Sequence, residues 1–201
     1  MTIKEYLKLV NDYYADVEKN KYLKNQIEEY NKELIKEYPF LEMRNVFTDK
    51  PTNNFMFTWL DDMPEGWRIA FGKEICDELK QALIDYDNKN GTDMLHKYRI
   101  HQIKEKYGSL RWYDNGVTPE MSVIISKYEM MSEKICIICG EKAVYSTKGW
   151  ISPYCEICSS EIYYNYNHIK NGTRNKSRKV KFENLFYTLK EEKDILESSE
   201  E

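Results

Sequence analysis

Cys136-Ile137-Ile138-Cys139 and Cys155-Glu156-Ile157-Cys158 are two Cys-x-x-Cys pairs separated by fifteen residues in a chain of 201. Two residues between cysteines let a tight turn aim both thiolates at one ion, and the gap between the pairs is that of four-cysteine sites. Four thiolates suit a tetrahedral Zn2+ and fill every coordination position. The expected ion is therefore structural, because no position remains for the water that a catalytic zinc activates. Gly140, directly after the second ligand, lets the backbone turn sharply. Two disulfides or a redox pair are the competing assignments. A redox motif explains one pair and not two, and a reducing compartment keeps thiols reduced. The fifth cysteine, Cys76, stands beside an apolar stripe and reads as a small core residue with no basic partner indicated.

Between the pairs, Ala143 to Ser146 and Trp150 to Ser152 flank Thr147-Lys148-Gly149, the pattern of a short hairpin. After the second pair, Ser159 to Tyr164 is expected to begin a helix, whose N-terminal partial charge favours thiolates. Knuckle, hairpin and helix in this order resemble a treble clef over residues 134–165. His-Asn-His nucleases share that architecture but need histidines beside the hairpin. The three histidines here are His96, His101 and His168, and none lies between Ala143 and Tyr154.

Two further groups of residues have binding chemistry. Lys104, Lys106, Arg111 and Tyr113 form a charged, aromatic edge; Leu110 and Trp112 alternate with Arg111 and Tyr113, so one strand face packs inward and the other stays exposed. The plainer alternative is a strand that only fits its core. From Ile162 to Phe182 the chain carries Lys170, Arg174, Lys176, Arg178, Lys179 and Lys181 with no Asp or Glu, interleaved at its start with Tyr163, Tyr164, Tyr166 and His168. Cations neutralise phosphates and aromatics stack on bases, which suits DNA or RNA; a solvated linker balanced by the acidic tail from Glu191 onward is the alternative. His101 with Glu105, Arg111 and Asp114 is a conceivable acid/base cluster, although a structural histidine on a strand is commoner. A Gly-rich phosphate loop, a serine elbow and a paired-histidine metal motif are all missing from the sequence.

The elements that must position these residues are mixed. Ile3, Leu7, Val10, Tyr14 and Val17, then Leu23, Ile27, Tyr30, Leu34 and Tyr38, recur at spacings of three and four, with a phase slip near Lys19-Asn20-Lys21. Either a helical hairpin or one long helix with a changing face satisfies them. Phe55 to Leu60 reads as a short strand. Asp62 and Glu65, at capping-box spacing around Pro64, predict a helix start, and Trp67, Phe71, Ile75, Leu79, Leu83 and Tyr86 continue its buried stripe. Asn90-Gly91 ends it. Tyr98 to Ile103 and Leu110 to Tyr113 are expected strands around Gly108, and Asp114-Asn115-Gly116 is a turn. Thr118-Pro119 opens a helix buried through Met121, Ile125, Tyr128 and Met131. Helices and strands without a repeating βαβ order indicate an α+β fold. The organisation expected is a helical segment over 1–38, an α+β body over 39–133, the zinc module over 134–165, and a basic segment with an acidic helical tail over 166–201.

A hydrophobic content of 41% with 17 Tyr, 7 Phe and 4 Trp is enough for a core. No apolar run reaches the roughly 18 residues of a membrane span, and the N-terminus lacks a signal-peptide core, so no membrane association and a cytoplasmic location are expected. A net charge of -4 argues against a chain that coats nucleic acid over its whole surface.

Tyr38-Pro39-Phe40-Leu41 with Arg44-Asn45, Leu60 to Trp67, Tyr98 to Tyr113 and Gly149 to Cys155 together resemble an uncharacterised family of small proteins encoded by phages, prophages and gut bacteria of low GC content. The resemblance covers residues 38–160 and implies a mobile-element setting; it carries over no catalytic residue. The function expected is that of a non-enzymatic, zinc-stabilised accessory protein that binds a macromolecule, foremost a host or phage protein. Nucleic-acid binding through 162–182 is the second expectation, and an enzyme acting on a nucleotide the third.

Overall fold

Trp67, Phe71, Ile75, Leu79 and Leu83 lie buried along one side of the longest helix, and the stripe ends at the half-buried Tyr86. The computed structural model describes residues 1–15, 21–45, 47–116, 118–169 and 181–189. In it α1 spans Ile3–Ala15, α2 Lys21–Glu37, and the long helix, α3, Glu65–Asn90. The class is α+β.

The first two helices form a hairpin. Tyr6 on α1 stacks on Tyr30 of α2, with ring centroids 4.5 Å apart, and Asn31 Nδ2 donates to the Tyr6 hydroxyl at 3.1 Å. Residues 16–20, which hold most of the phase slip near 19–21, lie outside the described residues. Tyr6 donates in turn to Asp61, and Asp61 pairs with Arg68 of α3 at 2.5 Å, whose guanidinium sits 4.7 Å over the Tyr6 ring. One ionic and aromatic cluster thus docks the hairpin onto the first turns of α3.

The approach to α3 departs from the sequence expectation. Phe55 to Leu60 is not a strand: a turn at Phe55-Met56 leads into a 3-10 helix over Trp59–Asp62. The Asp61 carboxylate accepts from both the backbone N–H (2.6 Å) and the hydroxyl (2.9 Å) of Thr58. That local bonding offers the backbone an alternative to an extended ladder. The expected Asp62/Glu65 box does not form either. Pro64 occupies the cap position without a side-chain cap, and the Gly66 amide donates instead to the Ile137 carbonyl at 3.0 Å.

After the short helix α4 (Met94–Lys97), β1 (Ile100–Lys106) and β2 (Ser109–Asp114) form an antiparallel ribbon. Ile103 faces Trp112 and Glu105 faces Leu110 on the inner side. Thr118 caps α5 (Pro119–Ser132), accepting from the Met121 N–H at 3.2 Å as its sequence predicts. Two side chains of α5 take up amides of β2: Ser132 accepts from Leu110 N–H at 2.8 Å and Glu129 from Trp112 N–H at 3.2 Å.

Beyond the first cysteine pair, β3 (Tyr145–Thr147) pairs with β4 (Pro153–Tyr154), and α6 runs from Glu156 to Ile169. The expected hairpin is present, with its second strand starting at Pro153 rather than Trp150. A third strand was not anticipated. After the one-turn helix α7 (Phe182–Leu185), β5 (Phe186–Thr188) pairs antiparallel with the other edge of β3, giving the order β4-β3-β5. Phe182 and Phe186 stack at 4.7 Å, and Tyr145, Tyr154 and Tyr163 meet them edge-on. This part of 166–201 is therefore an aromatic clasp over the hairpin; residues 190–201 lie outside the described residues.

Candidate metal centre

Cys136 and Cys139 sit on a turn closed by two backbone bonds, Cys136 N–H to the Glu141 carbonyl (2.7 Å) and Gly140 N–H to the Cys136 carbonyl (3.1 Å). Ile137 N–H donates to the Pro153 carbonyl at 3.0 Å and Val144 N–H to the Tyr154 carbonyl at 2.9 Å, which ties this turn to the hairpin. Cys155 directly precedes α6, and Cys158 lies in its first turn, its N–H 3.4 Å from the Cys155 sulfur. The helix begins three residues before Ser159, the expected start. This earlier start sets Cys158 on the helix, facing the ligand that precedes it.

The four sulfurs lie within 4.8 Å of one another, with Cys139 and Cys155 Sγ at 3.5 Å. Metal–sulfur bonds of about 2.3 Å in a tetrahedron separate the sulfurs by about 3.8 Å, so the donor set fits one thiolate-bound ion. All four predicted ligands are thus brought together. Cys136, Cys155 and Cys158 are buried and Cys139 is half-buried. Burial raises the Cys139 and Cys158 thiols above their ordinary range. Burial also opposes ionisation of Cys136, but backbone N–H groups of Cys155, Cys139 and Ile138 outweigh it and lower that thiol. A divalent cation at the centre would favour the thiolate at every position.

The turn over residues 136–140 is seated directly on α3. A Cβ placed on Gly66 would overlap the Cys136 carbonyl oxygen, and Trp67 Nε1 donates to the Ile135 carbonyl at 3.0 Å. The hairpin makes a second contact with the body: a Cβ on Gly108, in the β1–β2 turn, would meet the Ile151 side chain at 2.9 Å. Nothing in the periodicity of the sequence signals either contact.

The expected charged edge is also formed. Along the ribbon the cross-strand pairs Gln102/Tyr113 and Lys104/Arg111 share the side opposite the buried Ile103 and Trp112. Lys104 Nζ lies 5.1 Å over the Tyr113 ring, and Lys106 Nζ lies 5.4 Å over that of Tyr107. Arg111 Nη1 is held by Ser109 Oγ at 2.6 Å and the Leu110 carbonyl at 2.7 Å. Two exposed aromatics escaped the sequence reading as surface groups: Tyr107, 72% exposed at the ribbon turn, and Trp150, 77% exposed at the hairpin tip.

The conceivable acid/base cluster is dispersed. His101 is exposed, Glu105 accepts from the Gly108 N–H at 2.6 Å, Arg111 faces Glu129, and Asp114 accepts from Tyr98 at 2.7 Å. A cavity of about 490 Å3 beside α2 and α3, lined by Tyr30, Leu34, Tyr38, Arg68 and Lys73, includes neither His101 nor the cysteines. Of the basic segment, Lys170, Arg174, Lys176, Arg178 and Lys179 lie outside the described residues, and Lys181 pairs with Glu183 at 3.5 Å. No helix among the described residues is long and apolar enough to cross a membrane. Comparison with protein-family profiles, with curated proteins and with solved structures returns no match to this chain.

Proposed function

We propose that the chain is a non-enzymatic binding protein in which Cys136, Cys139, Cys155 and Cys158 hold one Zn2+ as the staple of a treble-clef-like module. Four thiolates would close the coordination sphere of such an ion, which supports a structural role for it and a working surface elsewhere. The observation that carries the reading is the contact of the two hairpin ends. Gly108 and Ile151 touch, so the exposed Tyr107 and Trp150, each next in sequence to one of them, stand on two adjoining turns. Exposed aromatics held on rigid supports are what a binding surface needs, because little side-chain entropy is lost on docking. The resemblance of 38–160 to phage and prophage proteins supports an accessory role in a mobile element, acting in the cytoplasm.

The test is site-specific photo-cross-linking in cells that express the full chain. A photoreactive residue at Tyr107 or Trp150 is expected to give adducts with a macromolecule. The same residue at Asn90, about 36 Å away along α3 from Gly66, is expected to give none. Absence of adducts from both aromatic positions contradicts the proposal.

A further inference from the structure

We infer that the outer face of the β1–β2 ribbon, together with the adjoining hairpin tip, binds single-stranded nucleic acid. The inference rests on the binding role proposed above and names the partner class.

The cross-strand register puts Lys104, Lys106 and Arg111 on one face, with Tyr113 beside Lys104 and Tyr107 beside Lys106. Lys104 and Lys106, two residues apart on one strand, lie about 7 Å apart along it. Among the described residues neither lysine is paired with a carboxylate; Lys104 is instead held by Gln102 Oε1 at 2.6 Å. Glu105, the acid between them, points to the inner side and is occupied by the Gly108 amide. Lys104 and Lys106 are therefore two unbalanced cations on this face, while Arg111 is balanced by Glu129 at 3.7 Å, within a chain whose net charge is -4. Such local segregation attracts a polyanion to one place.

The aromatics decide between polyanions. Tyr113, beside Lys104, is 42% exposed; Tyr107, beside Lys106, and Trp150, at the adjoining hairpin tip, are far more so. Alternating ring faces and ammonium groups match the alternating bases and phosphates of an unpaired strand, whereas a duplex hides its base faces in the stack. A protein interface would be centred on buried apolar groups with few lysines. Gln102, Lys104, Lys106, Arg111 and Tyr113 include no aliphatic residue. Arg111 is held by Ser109, the Leu110 carbonyl and the Glu129 carboxylate, so the phosphate contacts fall to Lys104 and Lys106.

The experiment uses the full zinc-loaded chain and a fluorescent oligothymidylate of about twelve nucleotides, within the usual span of a single-strand site. Trp67 and Trp112 are buried and Trp59 half-buried, so Trp150 dominates the quenchable tryptophan emission. The expected result is saturable binding with quenching of that emission. Trp150→Ala should weaken binding at least 5-fold and abolish the quenching, and Trp150→Phe should restore the affinity without it. Lys104→Glu with Lys106→Glu should weaken binding and flatten the log–log salt slope by about 1.4, since each phosphate left without its lysine removes about 0.7. Circular dichroism and zinc content, unchanged in these surface variants, exclude misfolding as the cause. No binding, equal binding of a duplex without quenching, or quenching by a polyglutamate peptide but not by the oligonucleotide would each overturn the inference. Protein adducts from Tyr107 and Trp150 in the cross-linking experiment, with no oligonucleotide binding, would sink it while leaving the binding role standing.

Discussion

Gly66 and Gly140 meet backbone to backbone: a Cβ on Gly140 would lie 2.7 Å from the Gly66 carbonyl oxygen, and one on Gly66 would penetrate the peptide of Cys136 and Ile137. Gly140 also has φ +83, a conformation in which side chains are strained. The first turn of the long helix and the turn over residues 136–140 are therefore in contact without side chains between them. The Gly66 amide completes the joint by donating to the Ile137 carbonyl, so the first cysteine turn caps the helix that organises the body.

Gly140→Ala should destabilise the chain by about 1–2 kcal/mol through its left-handed backbone and by roughly 1–3 kcal/mol more through overpacking. Gly66→Ala carries no φ penalty but meets the harder obstacle. Both variants should lose metal affinity together with thermal stability, measured by zinc competition and by melting. Unchanged metal affinity with lowered stability would separate the centre from α3.

Asp61 holds the N-terminal hairpin to α3. Its carboxylate serves Arg68, Tyr6 and Thr58, while the Nε and Nη2 atoms of the buried Arg68 have no hydrogen-bond partner among the described residues. Asp61→Ala strands that guanidinium and should cost about 3–5 kcal/mol in urea denaturation. Asp61→Ala with Arg68→Met should recover most of the loss, because no buried charge then remains.

Glu78 links α3 to α5, accepting from Lys127 at 2.6 Å and from the Tyr128 hydroxyl at 2.8 Å. The Lys127 hydrogen bond, foremost, holds its carboxyl below the ordinary range. A lowered folded-state value means the link stabilises above the ordinary carboxylate range and is lost as pH falls through the lowered value. The pair is solvent-exposed, so Glu78→Gln should cost only about 0.5 kcal/mol near neutrality. It should also flatten the acid limb of the stability profile, as pH-dependent melting would reveal.

Cys76 is fully buried on α3, and burial pushes its thiol far above the ordinary range. In the native chain it should resist alkylation at pH 8 while chelation of the metal makes the other four cysteines react. Mass spectrometry after iodoacetamide treatment reads this directly, and early labelling of Cys76 would contradict its place in the core.

Much of this arrangement is legible in the sequence because it depends on local spacing. The stripe from Trp67 to Leu83 has the helical period, Thr118-Pro119 is a capped start, and two Cys-x-x-Cys pairs gather four sulfurs at one point. What escapes is set by contacts between distant segments or by competing local bonds. Phe55 to Leu60 has the composition of a strand, but Thr58 and Asp61 satisfy each other and bend it into a turn. Phe186 to Thr188 is too short for a period to show, and it is a strand only because β3 offers an edge. Asp62 and Glu65 have the capping spacing, yet the Gly66 amide takes a carbonyl from seventy-one residues later. The charged edge from Lys104 to Tyr113 follows from alternation alone, whereas its junction with Trp150 depends on the Gly108–Ile151 contact.

X-ray absorption at the zinc edge of the purified chain reads the ligand set of the bound ion. One zinc per chain with four sulfur neighbours at about 2.3 Å and no oxygen or nitrogen ligand is the expected result. A first shell containing oxygen or nitrogen, or protein that carries no metal while all four cysteines titrate as free thiols, would contradict it.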